Sequence, residues 1–152
     1  MSKPSQHVEM TVDLAAEPDA IFSYFTDHFD EIWAGKQSQV RPAAEGSEPM
    51  GLGYVRRVDP PGLKAHLDEE IVTHQRPSLI EYKVINGDDA PIHNHLGRIE
   101  FNPGPGDKGT SVRYTVDFDT RPGFAGPIAK GVLAAGWKLD VTQRLRKKFG
   151  AP

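Results

Sequence analysis

Residues 7–15, HVEMTVDLA, alternate cleanly, with Val8, Met10, Val12 and Leu14 on one face and His7, Glu9, Thr11 and Asp13 on the other. That period predicts a half-buried strand. The stretch AEPDAIFSYFTD changes period. Pro18 suits a first helical turn, and Ile21, Phe22 and Phe25 form an apolar stripe at helical spacing. A second short helix is predicted over DHFDEIWAG, closed by Gly35 as a C′ glycine. From 37 to 120 period two returns, interrupted by PAAEGSEP, DPPG, QRP, NGDDAP and NPGPGDKG. Strands are predicted near 38–42, 51–59, 63–74, 78–86, 92–102 and 110–120. Short turns between consecutive strands imply an antiparallel meander. The pattern then becomes helical over 127–150, with Leu133, Trp137, Val141, Leu145 and Phe149 at spacing four, opened by Pro127 and closed by Gly150.

The order is therefore β-α-α-β6-α, an α+β chain in one domain over 1–152. A curved antiparallel sheet of seven strands must bury one face against the long C-terminal helix. This is the helix-grip arrangement, in which a central cavity separates sheet and helix.

Each strand's apolar face can be searched for residues that do not belong there. Met50, Leu52, Tyr54, Arg56 and Val58 share a face that an arginine interrupts. Leu63, Ala65, Leu67, Glu69, Ile71 and Thr73 share one that a glutamate interrupts. The remaining faces read Ile80, Tyr82, Val84; His93, His95, Gly97, Ile99, Phe101; and Val112, Tyr114, Val116, Phe118. An unpaired buried charge costs several kcal/mol, so Arg56 and Glu69 must pair with each other, meet water, or meet a ligand. They fall on neighbouring strands, where a cross-strand pair is feasible. The ordinary alternatives are a structural ion pair for these two and satisfied core positions for the tyrosines, Trp33 and Trp137.

Composition narrows the function classes. Apolar residues are 38% and charged residues 26% of the chain, values of an ordinary globular protein. A net charge of −3 implies no general attraction to nucleic acid or anionic lipid. The basic RLRKKFG near the end reads as a solvated helix terminus whose cations complement the dipole. The absence of cysteine removes disulfides, thiolate metal sites and a cysteine nucleophile together. MSKPSQHVEM has no apolar leader segment, and the chain has no apolar run of about 18 residues. A cytoplasmic location without membrane insertion is expected.

A metal site is the alternative from another class. Gly87, His93, His95 and Glu100 fit the spacing of the first cupin motif, whose last glycine comes one place early here, at Gly106. Histidines at i and i+2 share a strand face and can chelate one ion. Against this, no histidine follows His95 to supply the second motif. In an unbroken strand Glu100 also points away from the histidines, unless a bulge, for instance at Gly97, turns it. The expectation is no metal and no cofactor.

The strings VDLAAEPDAIFSYFTD with a following tryptophan, GLGYVRRV, LDEEIVTHQRPSLIEYKV and GRIEF followed by GTSVRYTVDF, in this order over about 7–150, resemble a known family. It is the polyketide cyclase/dehydrase group of the START-like, Bet v 1-like (SRPBCC) superfamily. The resemblance implies a cavity under the long helix that binds a lipid, polyketide, aromatic or other apolar small molecule. Phe25, Trp33, Tyr54, Tyr82, Ile99, Phe101, Tyr114 and Trp137 are the expected walls, with Arg56, Glu69, His93 and His95 at a polar end. If the protein is an enzyme, the expected chemistry is cofactor-free acid–base work such as cyclisation or dehydration. His93 or His95 then carries the proton and Arg56 stabilises an oxyanion. A partner-binding module with a vestigial cavity is a third reading, and a homodimer is left open.

Overall fold

The computed structural model describes residues 6–32, 36–59, 65–87, 92–120 and 138–152. Its elements are β1 (Gln6–Leu14), α1 (Pro18–Asp27), α2 (Phe29–Ile32), β2 (Lys36–Arg41), β3 (Val55–Asp59), β4 (Leu67–Gln75), β5 (Leu79–Val84), β6 (Ile92–Pro103), β7 (Thr110–Thr120) and α3 (Lys138–Phe149). All strands join one seven-stranded antiparallel sheet in the order β1-β7-β6-β5-β4-β3-β2. Five hairpins run from β2 to β7, and β1 closes the far side by pairing with β7. The two short helices carry the chain from one edge strand to the other. Among the described residues no helix is long and apolar enough to cross a membrane.

Period two places the core as expected. Val8, Met10, Val12 and Leu14 of β1 are buried, as are Val112, Tyr114, Val116 and Phe118 of β7. On α1, Ile21, Phe22 and Phe25 are buried, and both phenylalanine rings lie against Phe101, with centroids 5.3 and 5.4 Å away. Pro18 opens this helix at its first turn. Val141 and Leu145 of α3 are buried, and Gly150 closes that helix at φ 77 with its N–H donating to Arg146 O. A left-handed residue there favours glycine. The earlier part of the expected long helix, with Pro127, Leu133 and Trp137, lies outside the described residues.

Three expectations need correction. Residues 50–54 form turns, and Met50 and Leu52 are exposed. The strand begins only at Val55, because Gly53 takes φ 85, which no extended strand accommodates. The other two corrections come from β-bulges, each of which inserts one residue and reverses the inward parity beyond it. In β4 the register passes from Ile71↔Tyr82 to Thr73↔Glu81 and His74↔Ile80. His74 therefore points inward, and Thr73, assigned to the inner face by the alternation, hydrogen-bonds Glu81 instead.

In β6 the register passes from Leu96↔Asp117 to His93↔Asp119, with Asn94 at φ 51. Residues directly opposite on antiparallel strands share a face. His93, expected on the inner face, therefore joins Leu96 and the two aspartates on the outer face, and Ile92 takes the inner place instead. His93 and His95 lie on opposite sides of the sheet.

Candidate functional site

The inner face concentrates its polar groups around one cation. Arg56 lies directly opposite Glu69 in the β3–β4 pair, and its Nε–H donates to Glu69 Oε1 at 2.9 Å. Both side chains are buried. The guanidinium carbon is 3.3 Å from the Phe29 ring centroid and 4.8 Å from that of Tyr82, so the cation sits between two aromatic faces. Its Nη2 is buried and has no hydrogen-bond partner among the described residues. The guanidinium is thus held through Nε, and its Nη2 keeps a buried N–H donor that no described residue accepts.

The surroundings hold that cation in place. Tyr82 and Tyr114 hydrogen-bond through their hydroxyls. Phe25 meets Tyr114 at 6.0 Å and Phe101 at 5.4 Å between centroids. Tyr54 and Ile99 are buried in the same core. Among the predicted walls, Phe25, Tyr54, Tyr82, Ile99, Phe101 and Tyr114 therefore come together, whereas Trp33 and Trp137 lie outside the described residues.

His95 is buried beside Tyr82, with centroids 5.4 Å apart, and its Nδ1 accepts the Val84 backbone N–H at 3.2 Å. The acceptor role at Nδ1 places the ring proton on Nε2. Burial, reinforced by the Arg56 charge, lowers its pKa to about 4. The ring is thus neutral near pH 7. Burial likewise raises the Glu69 carboxyl, and Arg56 works against that shift. Tyr82 is pushed well above its ordinary value, chiefly by burial.

The Tyr82 ring rests on Gly97, its partner in the β5–β6 register. A Cβ at Gly97 would sit within the ring, closer than real Cβ atoms come. Gly97→Ala should tip Tyr82 off Arg56 and destabilise the fold by about 1–3 kcal/mol, read from urea unfolding. An unchanged midpoint would show that the ring yields freely.

The split of the two histidines removes the His-x-His chelate. Glu100 stays on the outer face near Arg113, at 3.5 Å, because the bulge lies at 93–96 and not at Gly97. Among the described residues, His93 and His95 belong to no close group of three ligand-type side chains. His28, Asp30 and Glu31 form such a group, and all three are exposed.

The alternation missed two features. Phe29, one face of the arginine sandwich, gave no signal beyond an apolar position in a short helix. The other feature is the His74 cluster. Thr26 Oγ1 lies 3.0 Å from His74 Nε2, and Glu48 Oε2 lies 3.6 Å from Nδ1. Arg76 grips both Glu48 oxygens at 2.6 and 3.1 Å and reaches Asp19 and Ser23 of α1 at 2.8 and 2.7 Å. Thr–His–Glu is the order of a nucleophile relay, but Thr26 is 5% exposed within the contact between α1 and the sheet. The cluster clamps α1 and the 42–54 loop to β4.

Residues 5–147 match the family model described as polyketide cyclase / dehydrase and lipid transport. The chain belongs to that family. No curated protein matches the sequence.

Among solved structures, truncated norcoclaurine synthase from Thalictrum flavum is 14% identical over 97% of this chain and 95% of its own, with TM-score 0.68. A protein from Mesorhizobium loti is 18% identical over 93% of this chain and 95% of its own, with TM-score 0.65. The Aha1 dimer from Colwellia psychrerythraea is 11% identical over 93% and 94%, with TM-score 0.62. At these identities the likeness concerns the fold. The family member therefore has the Bet v 1-like helix-grip fold, a scaffold whose chemistry must be read from its own site.

Proposed function

We propose that this family member binds a hydrophobic or aromatic small molecule between the inner face of the sheet and the C-terminal segment, with Arg56 orienting it. The observation that carries this reading is the buried Nη2 of Arg56, without a partner among the described residues, on a guanidinium held between Phe29 and Tyr82. A buried donor left vacant costs about 1–3 kcal/mol, which a ligand oxygen would relieve. The aromatic surroundings suit a flat apolar body. Norcoclaurine synthase from Thalictrum flavum, the same fold at 13% identity, is known in complex with dopamine and hydroxybenzaldehyde.

A second reading, cofactor-free acid–base catalysis such as cyclisation or dehydration, has one observation in its favour. His95 is a neutral ring with Nε2 protonated, close to Tyr82, on the same buried face as Arg56. In that reading His95 is the proton carrier and Arg56 stabilises the oxyanion, while His93, on the other face, takes no part. A pH–rate profile abolished by His95→Ala would distinguish turnover from binding alone.

Native mass spectrometry tests the binding reading. The protein as purified, or incubated with apolar aromatic compounds, should carry one organic molecule per chain, absent from the denatured mass. Arg56→Met should weaken its retention by about tenfold. Failure to retain any compound, with the fold intact by circular dichroism, would move the function to a protein partner. The same spectrum reads whether the chain is a homodimer.

A further inference from the structure

The charges around Arg56 constrain what it can receive. Its positive charge is already matched by Glu69 through the bond at 2.9 Å. Asp68, the other buried carboxylate among the described residues, pairs instead with Arg57 through two hydrogen bonds of 2.9 and 3.2 Å. Arg57 and Asp68 are opposite one another, one position along from Arg56 and Glu69, and so face the other way. Tyr82 and Tyr114 share one hydroxyl–hydroxyl hydrogen bond, and His95 spends Nδ1 on the Val84 N–H. The polar end therefore offers a donor without offering net positive charge.

We propose that this site selects an uncharged acceptor oxygen on an aromatic body, a ketone, aldehyde or phenol, over a carboxylate. The inference rests on the binding reading above and specifies its ligand class. A carboxylate entering here would lose its hydration and become a second anion beside Glu69, with a single cation to share. A neutral oxygen accepts the Nη2 hydrogen with far less desolvation, and Arg56 keeps its bond to Glu69. The aromatic part is fixed by the same residues: Phe29 and Tyr82 already cover the guanidinium, and Phe25, Phe101 and Tyr114 continue the apolar surface. Glu69 is thus a specificity-determining residue that excludes anions by occupying the charge of Arg56.

Two probes with one ring system separate the possibilities: naphthyl methyl ketone and naphthoate, titrated at neutral pH and followed by calorimetry. The wild-type protein should bind the ketone at least about tenfold more tightly. Glu69→Gln frees the charge of Arg56 and should shift the ketone-to-naphthoate ratio by about tenfold or more toward naphthoate. Naphthoate binding as tightly as the ketone to the wild type would overturn the charge-exclusion inference and leave the binding site standing. An unchanged ratio in folded Glu69→Gln would do the same. If neither probe binds the folded wild type, the binding reading itself falls and the inference with it. Should Glu69→Gln not fold, the wild-type comparison decides alone.

Discussion

Glu69→Ala is expected to cost about 3–5 kcal/mol of folding stability, more than a typical surface or boundary substitution. The reason is what it leaves behind. Arg56 is buried at 5% exposure, and its Nε would lose the carboxylate bonded to it. The guanidinium cannot neutralise itself by losing a proton, so the uncompensated charge stays in the core. The double variant Arg56→Met with Glu69→Leu removes both charges while preserving most of the volume, and should be far closer to wild type than either single deletion predicts. Such non-additivity is the mark of a desolvated pair. Urea unfolding of the wild type, the two singles and the double measures it. A cost below about 1 kcal/mol for Glu69→Ala would mean that the pair is effectively solvated, contrary to its burial.

The second large effect is a pH dependence carried by His95. Its pKa is lowered from 6.5 to about 4 in the folded protein, first by burial and then by Arg56. Because the folded state resists protonation, the unfolded chain binds the proton first as pH falls. Stability is therefore lost between pH 6.5 and about 4, and this contribution is fully present above 6.5. The loss amounts to about 3 kcal/mol at 1.36 kcal/mol per pKa unit. Glu69, raised by burial, contributes with the opposite sign, so the clean observable is the difference between wild type and His95→Gln, in which Glu69 is common. Glutamine offers Oε1 to the Val84 N–H and does not titrate. The stability difference should change by about 3 kcal/mol across that window. A flat difference would contradict a buried, neutral His95.

The two predictions rest on residues of unequal legibility. Arg56 and Glu69 could be found from the sequence because each interrupts an apolar alternation in an unbroken part of its strand, where parity maps directly to facing. Their mutual register then needed only the meander. His93 and His74 were misplaced for the opposite reason. One extra residue beside Asn94 and one beside Val72 reverse the alternation, and neither carries the glycine or proline that would announce a bulge. The apparent chelate of His93 with His95 came from that single-residue error, and the inward His74 clamp was hidden by the same error. Phe29 was invisible because a four-residue helix has too few positions to establish a stripe. The buried aromatic residues were easier, since rings on four different elements need only the correct face. The cavity is an expectation of the helix-grip arrangement and of the family resemblance, which no alternation can supply.

The role proposed for Arg56 Nη2 is to donate to a ligand oxygen. A crystal structure of the protein with naphthyl methyl ketone bound tests it most directly. The account predicts the ketone oxygen within about 2.7–3.2 Å of Nη2, with the Arg56–Glu69 bond kept and the naphthalene against Tyr82 or Phe29. Ketone bound elsewhere, or Nη2 turned to a protein acceptor with no ligand near it, would contradict it.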